Sequence, residues 1–317
     1  MTITHKIKSR LVQLGPDSSL LQSALRLSAL MRGYGLEFTE KSVIVRKGSR
    51  EVAISKAHYI QTPTVMDIYD ALFDALESES RNGRTILDFS EPTLHRYKKS
   101  GVGFLFPSLP EEDQMDAYTS AYVPCPGDVA WDVGAHAGAS TYFLAQMVGP
   151  NGKVYAFEPD EMNWEFLNRN IELHKLDNVI PVKKALAGFS GSAGFKMDGT
   201  MLAGLTEFQM YEDPEHSKSV VTLTLADACA ELGKAPNFVK MDIEGAEVSV
   251  IEASCDFLKS HPIHFAIESF HRIEGELTYL ALERLFSECG YTVQSSDRFG
   301  QMFTWAGPSH QGALPEG

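Results

Sequence analysis

Three short stretches hold the residues best suited to chemistry. AWDVGAHAGAST, running from Ala130 to Thr141, sets Asp132, Gly134, His136 and Gly138 where an apolar run gives way to a turn and then a helix. VYAFEPD brings Glu158, Pro159 and Asp160 to the end of the next apolar run, and FVKMDIEGAE carries Asp242 and Glu244. Glu268-Ser269-Phe270-His271 follows one run later. A carboxylate at a strand end accepts both hydroxyls of a ribose. Asp242, Glu244, Glu268 and His271, gathered at neighbouring strand ends, would offer a base to a reacting hydroxyl.

The first loop selects among nucleosides. A dinucleotide fingerprint needs G-x-G-x-x-G, whose second glycine lets a pyrophosphate approach the backbone. Positions 134, 136 and 139 are Gly, His and Ala, so that glycine is missing. Asp132 adds negative charge, which suits a cationic ligand better than a phosphate. A nucleoside with a positive centre and no phosphates is S-adenosylmethionine. Simpler roles stand beside these: Gly134 and Gly138 let a helix pack closely on a strand, His136 caps its own turn, and Thr141 caps the helix that follows. Glu247, three residues after Glu244, reads as a capping-box partner.

The elements that must position these residues alternate between apolar strands and amphipathic helices from Gly127 onward, the pattern of a parallel sheet covered on both faces. Strands are expected at Val129 to Val133, Lys153 to Glu158, Val179 to Val182, Phe238 to Asp242 and Ile263 to Glu268. A closing antiparallel pair is expected at Tyr291 to Gln294 and Met302 to Trp305. Ahead of them, residues 6–32 with Leu11, Leu21 and Leu25 read as a helix interrupted near Gly15-Pro16. Ser42 to Arg46 and Glu51 to Ser55 read as a hairpin, and Thr64 opens a helix through Val65, Ile68, Leu72 and Leu76. The expected division is a small N-terminal α+β domain over 1–90, a linker or lid over 91–125, and the main domain over 126–317. VGFLFPSLP with Tyr118 and Tyr122 forms the lid, or else interdomain packing.

Bulk properties narrow the partners. The chain has 317 residues, 44% hydrophobic and 22% charged, a globular composition. Asp and Glu outnumber Lys and Arg by 42 to 28, and the net charge of −14 repels nucleic acid and anionic lipid. Cys125, Cys229, Cys255 and Cys289 form no C-x-x-C pair and read as buried reduced thiols. With no apolar leader or membrane span, a cytoplasmic location is expected.

The segment from Gly127 to Glu268 resembles the FkbM family of class I S-adenosylmethionine-dependent methyltransferases, through PGDVAWDVGAHAGAST, VYAFEPD and, most distinctively, FVKMDIEGAE. The resemblance implies a Rossmann-like α/β fold with a seven-stranded, mostly parallel sheet. It implies that Asp132, Gly134, Ala135, His136 and Gly138 border the methionine part of the cofactor, with Thr141 near it. Glu158 would hold the ribose, Pro159 and Asp160 would shape the adjoining turn, and Ala185 and Leu186 would rest against adenine or simply pack. Asp242, Glu244 and His271 are then the catalytic candidates for methyl transfer to a hydroxyl of a small natural product or sugar.

Asp242 and Glu268 also raise a Mg²⁺-assisted form, which ranks below the metal-free one because the sequence shows no third ligand. An NAD-dependent oxidoreductase and a non-catalytic nucleoside-fold binding protein are the competing readings. The partner is expected to be a small-molecule substrate, with homodimerisation through the N-terminal domain a further expectation.

Overall fold

The structure, a computed structural model, describes residues 14–111, 114–197, 204–205, 217–273, 275–298 and 300–309. Leu11, in the first expected helix, and Glu112 and Asp113, in the expected linker, lie outside the described residues. Two compact units are present, Met1–Glu112 and Asp113–Gly317.

In the first unit, α1 (Ser19–Met31) starts where the Ser18 hydroxyl accepts the Leu21 N–H at 3.4 Å. A five-stranded sheet of order β1-β2-β3-β5-β4 follows, built from β1 (Gly35–Phe38), β2 (Ser42–Lys47), β3 (Arg50–Ser55), β4 (Glu79–Arg81) and β5 (Arg84–Phe89). The expected hairpin is β2 against β3. The helix expected from Thr64 is instead two short ones, α2 (Thr62–Asp67) and α3 (Tyr69–Ala75), broken at Ile68, where φ is −101° and ψ is 12°. Past the break, Tyr69 is buried and packs edge-on to Tyr34, ring centroids 5.2 Å apart.

The stretch expected as a linker or lid is divided between the two units. Its first half forms a hairpin, β6 (Thr93–Arg96) with β7 (Gly103–Phe106), and buries Tyr97, Phe104 and Phe106 against one another inside the first unit. Its second half opens the second unit as α4 (Met115–Tyr118), where the Ala117 carbonyl accepts the Trp305 indole N–H at 2.9 Å. Tyr122 stacks on His264 at 3.9 Å and bonds Asp128 at 2.8 Å. His264 begins its strand, so Tyr122 sits at the amino ends of the strands, opposite the end where α/β sheets bind ligands.

The second unit is built on a seven-stranded sheet of order β10-β9-β8-β15-β16-β20-β19. Its strands are β8 (Val129–Val133), β9 (Lys153–Phe157), β10 (Val179–Val182), β15 (Phe238–Met241), β16 (His264–Glu268), β19 (Tyr291–Arg298) and β20 (Gln301–Pro308). Parallel pairing joins the first five in that order, and β20 alone runs against its neighbours β16 and β19.

Period-two alternation explains why these strands are apolar throughout. Trp131 and Val133 face a core with Val250, Ile251, Leu282 and Phe286, whereas Ala130 faces one with Leu144, Val148 and Leu167. The helices concerned are α5 (Ala139–Val148), α6 (Glu161–His174), α8 (Glu247–Leu258) and α9 (Thr278–Glu288), so both faces are covered. The remaining helix, α7 (Leu225–Leu232), is capped by the Thr224 hydroxyl.

A second, four-stranded sheet of order β11-β14-β12-β13 comprises β11 (Ala185–Leu186), β12 (Gly191–Lys196), β13 (Gly204–Leu205) and β14 (Ser217–Leu223). The sequence reading does not anticipate it.

The cysteines need a correction. Cys255 of α8 and Cys289, just past α9, form a disulfide with Cα atoms 5.1 Å apart, where the sequence suggests reduced thiols. In the chain-entropy view, closing a loop of this length stabilises the fold by roughly 3–4 kcal/mol. Cys229 is buried and free, and Cys125 is free but exposed. Among the described residues, no helix is long and apolar enough to cross a membrane.

Candidate functional site

The carboxyl ends of β8, β9 and β15 meet around a small, partly open cavity. Of the sequence candidates, Gly134, Glu158, Pro159, Ala185, Leu186 and Asp242 line it. Ile243, Ala246, Phe195, Gly204 and Leu205 complete much of the wall, the last three from the second sheet. Ala135, His136, Gly138, Thr141, Asp132 and Asp160 are buried and are not part of that lining.

The first loop is shaped by three left-handed residues, with φ of 80° at Gly134, 48° at His136 and 88° at Gly138. Glycine is required at 134: a Cβ there would lie 1.9 Å from the Asp242 carbonyl oxygen, so the loop presses directly on the end of β15. The Gly134 and Ala135 N–H groups donate to the Phe157 carbonyl at 3.1 and 3.0 Å, tying the loop to β9.

Glu158 is held on both sides. Its Oε2 accepts the His136 N–H and its Oε1 the Asp160 N–H, each at 2.8 Å. Both oxygens are thereby fixed in place at the carboxyl end of β9. Asp160 caps α6 by accepting the Met162 and Asn163 N–H groups at 2.8 and 2.9 Å.

Asp132 is not part of the cavity lining. It is fully buried, and its Oδ2 accepts the hydroxyls of Ser140 at 2.8 Å and Thr141 at 2.6 Å. Its Oδ1 lies 3.2 Å from the Lys240 ammonium, which donates to the Gly134 carbonyl at 2.7 Å. The negative charge that the sequence offers to a cationic ligand is thus matched internally. Lys240 is missed by sequence reasoning, although a lone lysine inside the apolar run FVKMD is itself the signal.

The catalytic candidates converge just past β15 and β16. One possible ligand atom from each of Asp242, Glu244 and His271 lies within 4.8 Å of the others. Glu244 holds a positive φ of 57°, uncommon for a side chain of its size. His271 Nε2 lies 3.5 Å from Glu244 Oε2, and its Nδ1 lies 3.7 Å from Glu247 Oε1. That same Oε1 accepts the Ile243 and Gly245 N–H groups at 2.9 and 3.3 Å, so Glu247 organises the turn as its spacing suggests. Glu268 faces Asp242, and its Oε2 accepts the Tyr118 hydroxyl at 3.1 Å.

This crowding shifts the acids upward. Burial raises Glu244 and Glu247, and burial together with the neighbouring Asp242 raises Glu268 well above the usual carboxylate range. For His271, burial opposes the charged form, but Glu247, Glu244 and Asp242 outweigh it and raise the imidazole to about 10.

The chain is similar to known proteins over part of its length. The chain is 30% identical over 146 residues to the hexuronic acid methyltransferase AglP of Haloferax volcanii, covering 45% of this chain and 56% of that protein. It thus spans little more than half the length of that curated relative. Among solved structures, the methyltransferase FkbM of Methylobacillus flagellatus KT is 18% identical with a TM-score of 0.41, over 56% of this chain and 43% of that one. The O-methyltransferase of Bacillus cereus in complex with SAH is 14% identical with a TM-score of 0.38, over 57% and 74%. The methyltransferase FkbM domain matches residues 132–293, from Asp132 beneath the first loop to Val293 in β19. That match takes in just over half of the sequence, and the chain belongs to the FkbM methyltransferase family.

Proposed function

We propose that the chain is an S-adenosylmethionine-dependent methyltransferase that methylates a hydroxyl of a sugar or other small natural product. The observation that carries this reading is Glu158, an acid fixed by two backbone N–H groups at the end of β9 on the wall of the cavity. In this reading Glu158 accepts the ribose hydroxyls, and Ala185 and Leu186 flank the adenine with Phe195 and Leu205 nearby. Asp132 with Thr141, and Ala135, His136, Gly138 and Asp160, hold the loop and turn in shape. The buried ion pair with Lys240 gives Asp132 a positioning role in place of contact with the sulfonium.

Bound S-adenosylmethionine would supply an electrophilic methyl group, which the acceptor oxygen would take in line while the electron pair of the broken bond stays on sulfur. Asp242 and Glu244 would take up the hydroxyl proton, and His271, its imidazole raised by the surrounding carboxylates, would balance their charge. Holding donor and acceptor in line does most of the work. The sugar acceptor is supported by the relative that acts on a hexuronic acid.

Glu158→Ala is expected to weaken binding of S-adenosylhomocysteine by about 1–3 kcal/mol through loss of charge-assisted hydrogen bonds. Calorimetric titration of the folded variant checks this, and unchanged affinity would remove Glu158 from the site. The reaction itself is tested with methyl-labelled S-adenosylmethionine and a panel of uronic acids and neutral sugars. Label in a methyl ether is expected; label found only on nitrogen or carbon acceptors would overturn the hydroxyl assignment.

A further inference from the structure

We infer that Asp242, Glu244 and His271 bind a divalent cation at the mouth of the cofactor cavity and that this cation receives the acceptor hydroxyl. The inference rests on the methyltransferase reading above and adds to it a ligand that no spacing in the sequence reveals.

The three side chains are near enough to close on one ion. The three ligand atoms lie within 4.8 Å of one another, and one of them belongs to a side chain on the cavity wall, Asp242. The 3.5 Å from His271 Nε2 to Glu244 Oε2 is too long for a good N–H···O bond. Two ligands each about 2.1 Å from one ion are about 3.0–3.4 Å apart at octahedral or tetrahedral angles, close to that separation.

A second observation concerns the imidazole. The His271 side chain is only 11% exposed, and its ring nitrogens, shielded from solvent, meet only carboxylates at 3.5 and 3.7 Å, too far for well-formed hydrogen bonds. Buried polar atoms without partners are rare, and a ligand often explains them. Behind the ring, the wholly buried Glu247 lies 3.7 Å from Nδ1, the place of the outer-shell carboxylate that orients metal-bound histidines.

Charge leads to the same conclusion. Asp242, Glu244, Glu247 and Glu268 crowd one imidazole, while the nearby Lys240 ammonium is engaged by Asp132 and the Gly134 carbonyl. An acidic sugar would be repelled by this cluster unless a cation stood between them. Two carboxylates and one imidazole suit a borderline-hard ion of the Mn²⁺ type. With the ion bound, Asp242, Glu244 and a His271 that has released its proton would be ligands, so the proton of the acceptor hydroxyl, its pKa lowered by coordination, would pass to water in place of those side chains.

The test uses the full chain, freed of metal by a chelator, with Mn²⁺ as the probe. Loss of the free-ion EPR signal on titration should show one bound ion per chain. His271→Ala and Glu244→Gln should each weaken that binding by about tenfold or more, while S-adenosylhomocysteine still binds. No Mn²⁺ binding by a wild-type chain that retains S-adenosylhomocysteine would overturn the cation site and leave the methyltransferase reading standing. Equal Mn²⁺ affinity in wild type and both variants would also overturn it, by placing the ion elsewhere. Loss of S-adenosylhomocysteine binding in the wild type would count against the parent reading instead.

Discussion

Gly134→Ala is expected to abolish cofactor binding and to destabilise the second unit by about 2–5 kcal/mol. Two costs combine. At φ of 80° a side chain is strained by roughly 1–2 kcal/mol, and a Cβ there would sit 1.9 Å from the Asp242 carbonyl oxygen. Both sides of that contact are backbone, so no rotamer change relieves it, and overpacking of this kind costs about 1–3 kcal/mol or more. Relief requires the first loop to move off β15, which would carry Gly134 out of the cavity wall and pull at the His136 N–H that holds Glu158. Denaturant unfolding and calorimetric titration measure the two effects. Stability within about 1 kcal/mol of wild type, with normal affinity, would show that the loop does not press on β15 as described.

Lys240→Met is expected to cost about 3–5 kcal/mol, because it leaves the fully buried Asp132 without its ammonium partner. The Ser140 and Thr141 hydroxyls still solvate one carboxylate oxygen, which keeps the loss toward the lower end. Removing the charge as well, in Lys240→Met with Asp132→Asn, should recover about 1–3 kcal/mol of coupling. If the double variant were as unstable as the sum of the singles, the two residues would not act as a pair. Met preserves most of the aliphatic volume, so the comparison reads the loss of the ammonium, its bond to the Gly134 carbonyl included.

Much of this arrangement was legible in the sequence because it is written in local patterns. Buried parallel strands show as unbroken apolar runs, and what ends each run is the residue placed at the ligand end of the sheet. That logic finds Glu158 on the cavity wall and brings Asp242, Glu244 and His271 together, although they come from two separate loops. It also separates Glu247, which organises its own turn, from its neighbours.

The parts that escaped depend on partners distant in the chain. Asp132 looks like an open negative charge until Lys240 arrives from another strand. Phe195 and Leu205 reach the cavity only because β12 pairs with β13 and β14, and no alternation marks those short strands. Cys255 and Cys289 meet because α8 and α9 pack side by side, which no cysteine spacing encodes. The break at Ile68 falls inside a run with good helical spacing, where packing of Tyr69 overrides the local pattern.

The central claim is that the cavity beside Glu158 takes a phosphate-free, cationic nucleoside cofactor. Parallel calorimetric titrations of the full chain with S-adenosylhomocysteine and NAD⁺ test it most directly. Saturable binding of S-adenosylhomocysteine, weakened in Glu158→Ala, with no heat from NAD⁺, is the expected result. Binding of NAD⁺ alone would contradict the account and return the first loop to the dinucleotide reading.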